Sequence, residues 1–194
     1  MARGLLIAFE GLDQSGKQTQ AERLRDHLIE KGRTVRLLSF PDYSTPIGHE
    51  IALALRGERP FGADVMQLLY VANRHELKGE ITRELSEGRV IVCDRYLASS
   101  VAYGEAQGLD GDWLREIQRF LPKPDVTILL DIAPETSATR KTADRDKYER
   151  DLALLSRVRA SYLRQAAAGW VHLDADRPRE AVAADIAAAV ARLL

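Results

Sequence analysis

Residues 5–9 form an unbroken apolar run that closes on a glycine-bearing turn, which predicts a strand covered on both faces. From residue 17 to 31 the period changes. Ala21, Leu24, Leu28 and Ile29 fall near one side of a helix, and Gly32 supplies its stop. A second strand is predicted over 35–40 and is broken by Pro41. Helices follow over 47–55 and 65–85, the latter ending at Gly88. The third strand, 90–93, delivers Asp94, and a helix over 113–121 stops at Pro122 and Pro124. A fourth strand over 126–130 is again followed by an aspartate, Asp131. The chain closes with a helix over 152–167, a fifth strand over 170–173 and an alanine-rich helix over 179–194.

Short apolar strands alternating with helices imply right-handed crossovers, so the expected fold class is α/β, a five-stranded parallel sheet flanked by helices on both faces. Ligands of such sheets bind beyond the carboxyl ends of the strands. Neither a repeat nor a Pro/Gly linker divides the chain, which predicts a single domain over 1–194. One stretch, 139–151, has few apolar residues and mixes Arg140, Lys141, Arg145, Lys147 and Arg150 with Asp144, Asp146 and Glu149. It reads either as a solvated face or as a basic lid spanning about 134–151.

Composition narrows the classes. Of 194 residues, 45% are apolar and 29% charged, the profile of a chain that buries a core. Lysine plus arginine (28) against aspartate plus glutamate (29) argues against a general nucleic-acid or membrane-surface binder. A single cysteine, Cys93, excludes an intramolecular disulfide and fits a reducing compartment. The apolar run ahead of Glu10 is too short for a signal-peptide core or a membrane span. The expectation is a soluble cytoplasmic protein without a membrane or nucleic-acid partner.

The most specific chemistry lies just after the first strand. Gly11-Leu12-Asp13-Gln14-Ser15-Gly16-Lys17 matches G-x-x-x-x-G-K between a predicted strand and a predicted helix. Glycines let successive amides wrap an anion, the helix N-terminus adds its dipole, and Lys17 brings a positive charge to the β- and γ-phosphates. Gln18 stands where such loops carry the Ser or Thr that binds magnesium. Its amide oxygen is a candidate ligand, directly or through water. Thr19 points about 100° further around the helix.

Further motifs give the loop a context: F-E-G-L-D-x-x-G-K, F-P-D-Y-S-T-P-I-G at 40–48, L-L-Y-V-A-N-R at 68–74, D-R-Y-L-A-S-S-V-A-Y at 94–103, L-P-K-P-D at 121–125 and R-K-T-A-D-R-D-K-Y-E at 140–149. Together, in this order, they closely resemble the thymidylate kinase family of P-loop nucleoside monophosphate kinases. The resemblance implies phosphoryl transfer from ATP to dTMP with Mg2+, and a homodimer.

It also implies roles residue by residue. Asp13 resembles the carboxylate that accepts from the nucleotide 3′-hydroxyl. Tyr70 aligns with the aromatic that stacks on thymine, and Arg74, on the same helix face, with the arginine that holds base and monophosphate. Phe40 and Pro41 resemble part of the monophosphate pocket, where some relatives carry an arginine at the place of Tyr43. Arg95 resembles the arginine on the acceptor phosphate, and Asp94 the carboxylate that organises magnesium. Ser99, Ser100 and Tyr103 resemble the segment that reads the pyrimidine and crowds the sugar 2′ position, and Tyr148 a lid tyrosine. Gln14 occupies the loop position where one family variant places its catalytic arginine, leaving Arg140 and Arg145 of the lid as the candidates. Asp174-Ala175-Asp176-Arg177-Pro178 resembles the loop that cups adenine, and reads equally well as a helix start.

Several groups carry alternatives. Tyr70 fits core packing, Asp94–Arg95 a structural ion pair, and Val65, Met66, Leu69 and Ala72 either core or a subunit contact. His27, His49, His75 and His172 show no metal-ligand spacing. A kinase of another nucleotide or nucleoside, and a nucleotide-binding switch without catalysis, are the competing functional readings.

Overall fold

The computed structural model describes residues 3–140 and 151–193. In chain order the elements are β1 (Leu6–Glu10), α1 (Lys17–Glu30), β2 (Val35–Ser39), α2 (Pro46–Leu55), α3 (Ala63–Ser86), β3 (Val90–Asp94) and α4 (Leu97–Ala106). They continue as α5 (Gly111–Glu116), β4 (Val126–Asp131), α6 (Pro134–Arg140), α7 (Leu152–Ala166), β5 (Val171–Asp174) and α8 (Arg179–Ala191). The strands form one sheet in the order β2-β3-β1-β4-β5, and every neighbouring pair is parallel. The expected α/β class with a five-stranded parallel sheet is what the chain adopts.

Strand alternation divides the interior. Ile7, Phe9, Val90 and Val92 join a buried cluster that includes residues of α1, α7 and α8, whereas Leu6, Ala8, Ile91 and Cys93 join one that includes Ile81 and Leu85 of α3. Both faces of β1 are thus covered, which is why its five residues are all buried, Glu10 among them.

Two helices were not predicted, and the helix expected over 113–121 ends early, at Glu116. Helix α4 (LASSVAYGEA) buries seven of its ten residues, so no polar face marks its period. Helix α6 begins at Pro134, directly after β4, and is only seven residues long. Of the segment read as a lid, residues 141–150 lie outside the described residues, and with them Arg145 and Tyr148. Among the described residues, no helix is long and apolar enough to cross a membrane.

Candidate active site

β1 sits between β3 and β4, so the turns leaving β1 and β3 emerge side by side at the carboxyl edge of the sheet. The first turn is the phosphate loop. Gly11 has φ 142°, and a Cβ there would stand 2.4 Å from the carbonyl oxygen of Leu130 on β4, so only glycine fits. Gly16 enters α1 with φ 90°, and Gln14 is left-handed at φ 62°. Lys17 is buried and donates from Nζ to the carbonyl of Leu12 at 2.7 Å. Burial, followed by repulsion from Arg95, lowers its pKa to about 8 against the pull of Asp13, Asp94 and Glu10.

The turn after β3 places Arg95 at φ 64°, a left-handed backbone that a non-glycine residue holds at a cost of about 1–3 kcal/mol. Its amide donates to Phe9 and its Nη1 to Gly11, which ties the two turns together. Nη2 pairs with Asp13 at 2.5 Å, and Tyr103 of α4 donates to the other Asp13 oxygen at 2.9 Å. Burial opposes ionisation of Asp13, yet Arg95 and Lys17 outweigh it and hold its pKa well below the usual carboxylate range. Asp94 points elsewhere. Its Oδ1 is buried with no hydrogen-bond partner, and it makes no ion pair with Arg95 among the described residues.

A pocket opens beside this pair, lined by Phe40, Pro41, Tyr70, Arg74, Ser99 and Ser100 together with Asp13, Arg95 and Tyr103. Its empty volume is about 600 Å³ including the mouth, within the range of small-molecule sites. Every acceptor-site residue expected from the sequence and described here is therefore in one cavity; the exposed Tyr43 lines it too. Tyr70 is half-buried at this wall and belongs also to the cluster of Ile51, Ala54 and Met66. Arg74 is buried, with Nη1 on Ser100 at 2.8 Å and Gln118 at 3.3 Å and with Nε unpartnered. An unpaired buried donor costs about 1–3 kcal/mol, which favours a ligand carbonyl or phosphate oxygen as its completion.

A second cleft, with an empty volume of about 980 Å³ including its mouth, lies across the phosphate loop, lined by Gln14, Ser15, Gly16, Thr19 and Arg140 and by Ala175, Arg177 and Pro178 after β5. Arg140 at the end of α6 bonds the carbonyl of Gln14 at 3.1 Å and pairs with Asp176 at 2.6 Å. Ser137 of the same helix donates to the carbonyl of Asp13. Ala175, Arg177 and Pro178 line the cleft, and the segment leads into α8 with Pro178 at its N-cap and no side-chain cap; Asp176 pairs with Arg140 instead of capping the helix. Gln18 is exposed, donates to Glu22 along α1 and lines neither cavity. Among the described residues no group of three or more His, Cys, Asp or Glu gathers to hold a metal. Asp94, whose buried Oδ1 is left without a partner, is the carboxylate at this edge of the sheet that could take part in holding a cation, although it too lines neither cavity.

Sequence reasoning missed three contributors. Gln67 is buried in the first pocket with its amide oxygen unpartnered. Its spacing of three from Tyr70 and seven from Arg74 was the available signal. Asn73, buried, bonds Asp42 and Thr45 and so pins the turn after Pro41 to α3. Glu10 marks the end of the first apolar run in the sequence, but nothing there shows that its carboxylate is buried and accepts from Tyr96 and Ser99.

Comparison with known proteins agrees with this geometry. A family model described as thymidylate kinase matches residues 9–186. The thymidylate kinase of Schizosaccharomyces pombe is 39% identical over 148 residues, which is 76% of this chain and 70% of that protein. The Homo sapiens thymidylate kinase is 33% identical over 187 residues, covering 95% and 88%. In three dimensions the chain is similar to a thymidylate kinase from Candida albicans, with a TM-score of 0.88 and 31% identity over 99% of this chain and 93% of the other. A phosphate loop with paired cavities, carried on this sheet and matched over most of its length, makes the chain a member of the thymidylate kinase family of nucleoside monophosphate kinases.

Proposed function

We propose that the protein transfers the γ-phosphoryl group of ATP to dTMP, giving ADP and dTDP on the route to dTTP. The observation that carries this reading is that the two cavities meet at consecutive residues of one loop, Asp13 in the first and Gln14 in the second. Nucleotides seated in them would meet phosphate to phosphate.

The acceptor is a phosphate monoester whose second pKa is about 6, so its oxygen is largely ionised near neutral pH without a general base. Catalysis then rests on alignment and charge neutralisation. In this reading the loop amides from Gly11 to Thr19 and Lys17 hold the donor phosphates, and Arg95 takes the acceptor phosphate. Asp13 receives the 3′-hydroxyl, Tyr70 stacks on the base, and Arg74 with Ser99, Ser100, Tyr103 and the Phe40–Pro41 wall closes around it. Mg2+, held by Asp94, would supply further positive charge to the phosphates. Arg140 would exchange Asp176 for the transferring group, and Arg145 and Tyr148 would join it from a lid over about 134–151 of a single domain 1–194. Exposed Val65 and Leu68 near the start of α3 support a homodimer through that helix. The single cysteine, buried and with its pKa pushed up by burial, suits a cytoplasmic setting.

The test is ADP release from Mg·ATP, with the phosphorylated acceptor identified, across dTMP, dUMP, UMP, CMP, AMP and thymidine. The expected result is a preference for dTMP. A higher kcat/KM for a ribonucleotide or for thymidine would move the reading to another kinase, and tight dTMP binding without turnover would move it to a non-catalytic switch.

A further inference from the structure

We infer that Glu10 and Tyr162 are positioning residues for the acceptor-site arginine, Arg95. Glu10 is fully buried at the end of β1, and both of its oxygens are used. One accepts from the amide of Tyr96 at 2.9 Å, the residue directly after the left-handed Arg95. The other accepts from the hydroxyl of Ser99 at 2.6 Å and from that of Tyr162 at 3.3 Å. Those two hydroxyl oxygens lie 2.8 Å apart, and each in turn accepts from Nη1 of Arg95, at 3.1 and 3.2 Å.

The direction of these bonds gives Glu10 its effect. A guanidinium only donates, so Ser99 and Tyr162 must offer it lone pairs. Hydroxyls can do so only if their hydrogens go elsewhere: Ser99 gives its hydrogen to the acceptor-only carboxylate, and Tyr162 gives its own to Ser99 or to the same carboxylate, so neither is aimed at Arg95. Glu10 thereby sets the polarity of a short buried network in which each bond reinforces the next. With glutamine at this position an N–H donor would face one hydroxyl, turn it around, and aim its hydrogen at Arg95. The same carboxylate favours the charged forms of Arg74 and Lys17, whose pKa values burial otherwise lowers. Among the described residues no carboxylate hydrogen-bonds Arg74 directly. Tyr162 itself is buried in α7, the helix that packs on α4, so its hydroxyl brings a third element to bear on the Arg95 side chain.

This rests on Arg95 receiving the acceptor phosphate, as proposed above. The test compares the full-length wild type with Tyr162→Phe, Glu10→Gln and the double variant, reading KM for dTMP and for ATP, kcat, Tm, and the Kd of dTMP by calorimetry. Both single variants are expected to raise KM and Kd for dTMP about tenfold or more, the scale of a lost charged hydrogen bond, with KM for ATP within about twofold. The double variant should be little worse than Glu10→Gln, because the two act along one network. A Tyr162→Phe protein with unchanged KM and Kd for dTMP overturns the inference. So does a fall in kcat alone that tracks a lowered Tm, which is the signature of a merely structural role. Should Glu10→Gln fail to fold, Tyr162→Phe, which keeps the buried ring, decides by itself. Wild type that binds dTMP without forming dTDP would sink the kinase reading while the Kd comparison still judges this one; wild type that does not bind dTMP would sink both.

Discussion

Asp13 and Lys17 sit four positions apart in one loop with opposite charge chemistry. Burial works against the ammonium of Lys17 and brings its pKa to about 8, so the fold gains little from this charge. In the proposed reaction its use is for the donor phosphates. Lys17→Met is therefore expected to lower turnover at least about 10²–10³-fold while leaving Tm unchanged or higher. Steady-state kinetics beside thermal denaturation checks both halves. Asp13 is the reverse case, since its pKa in the folded protein lies below its unfolded value of 3.8. As pH falls through that window the unfolded chain takes up the proton first, so stability present above about pH 4 is lost on acidification. Asp13→Asn should consequently lose less Tm than wild type between pH 5 and pH 3; equal losses would mean that the Asp13–Arg95 pair contributes no acid-sensitive stability.

At the scale of elements, the phosphate loop depends on what its neighbour strand allows. Gly11→Ala forces a Cβ to 2.4 Å from the backbone of β4 at a φ that side chains avoid. The expected cost is about 1–3 kcal/mol, read as a lower denaturant midpoint, together with weakened nucleotide binding. The same elements show what a sequence can reveal. β1, β3 and β4 announced themselves because strands buried on both faces are continuous apolar runs, and the loop because its glycines sit between strand and helix. Helix α4 was hidden for the opposite reason: its small residues are buried nearly all round, so the period that betrays a surface helix is missing. Asp13, Arg74, Arg95, Ser99 and Tyr103 were legible through motif order, and they meet in one cavity. Glu10 and Tyr162 were not, because nothing in spacing says which polar side chains a buried network will recruit, whereas Gln67 carried a signal in its helical spacing from Tyr70 and Arg74.

Across the whole molecule, the sheet order β2-β3-β1-β4-β5 puts β1 at the centre, with the pocket proposed for the acceptor toward β3 and the cleft proposed for the donor toward β4 and β5. The account stands on those two cavities being filled together, with the phosphate loop between them. Adenosine and thymidine joined 5′ to 5′ through a chain of five phosphates would occupy both at once. Its inhibition pattern is the most direct measurement. The account predicts that this compound is competitive against ATP and also against dTMP, and that Arg95→Ala weakens it. Competition with only one of the two substrates, or affinity indifferent to Arg95, would contradict it.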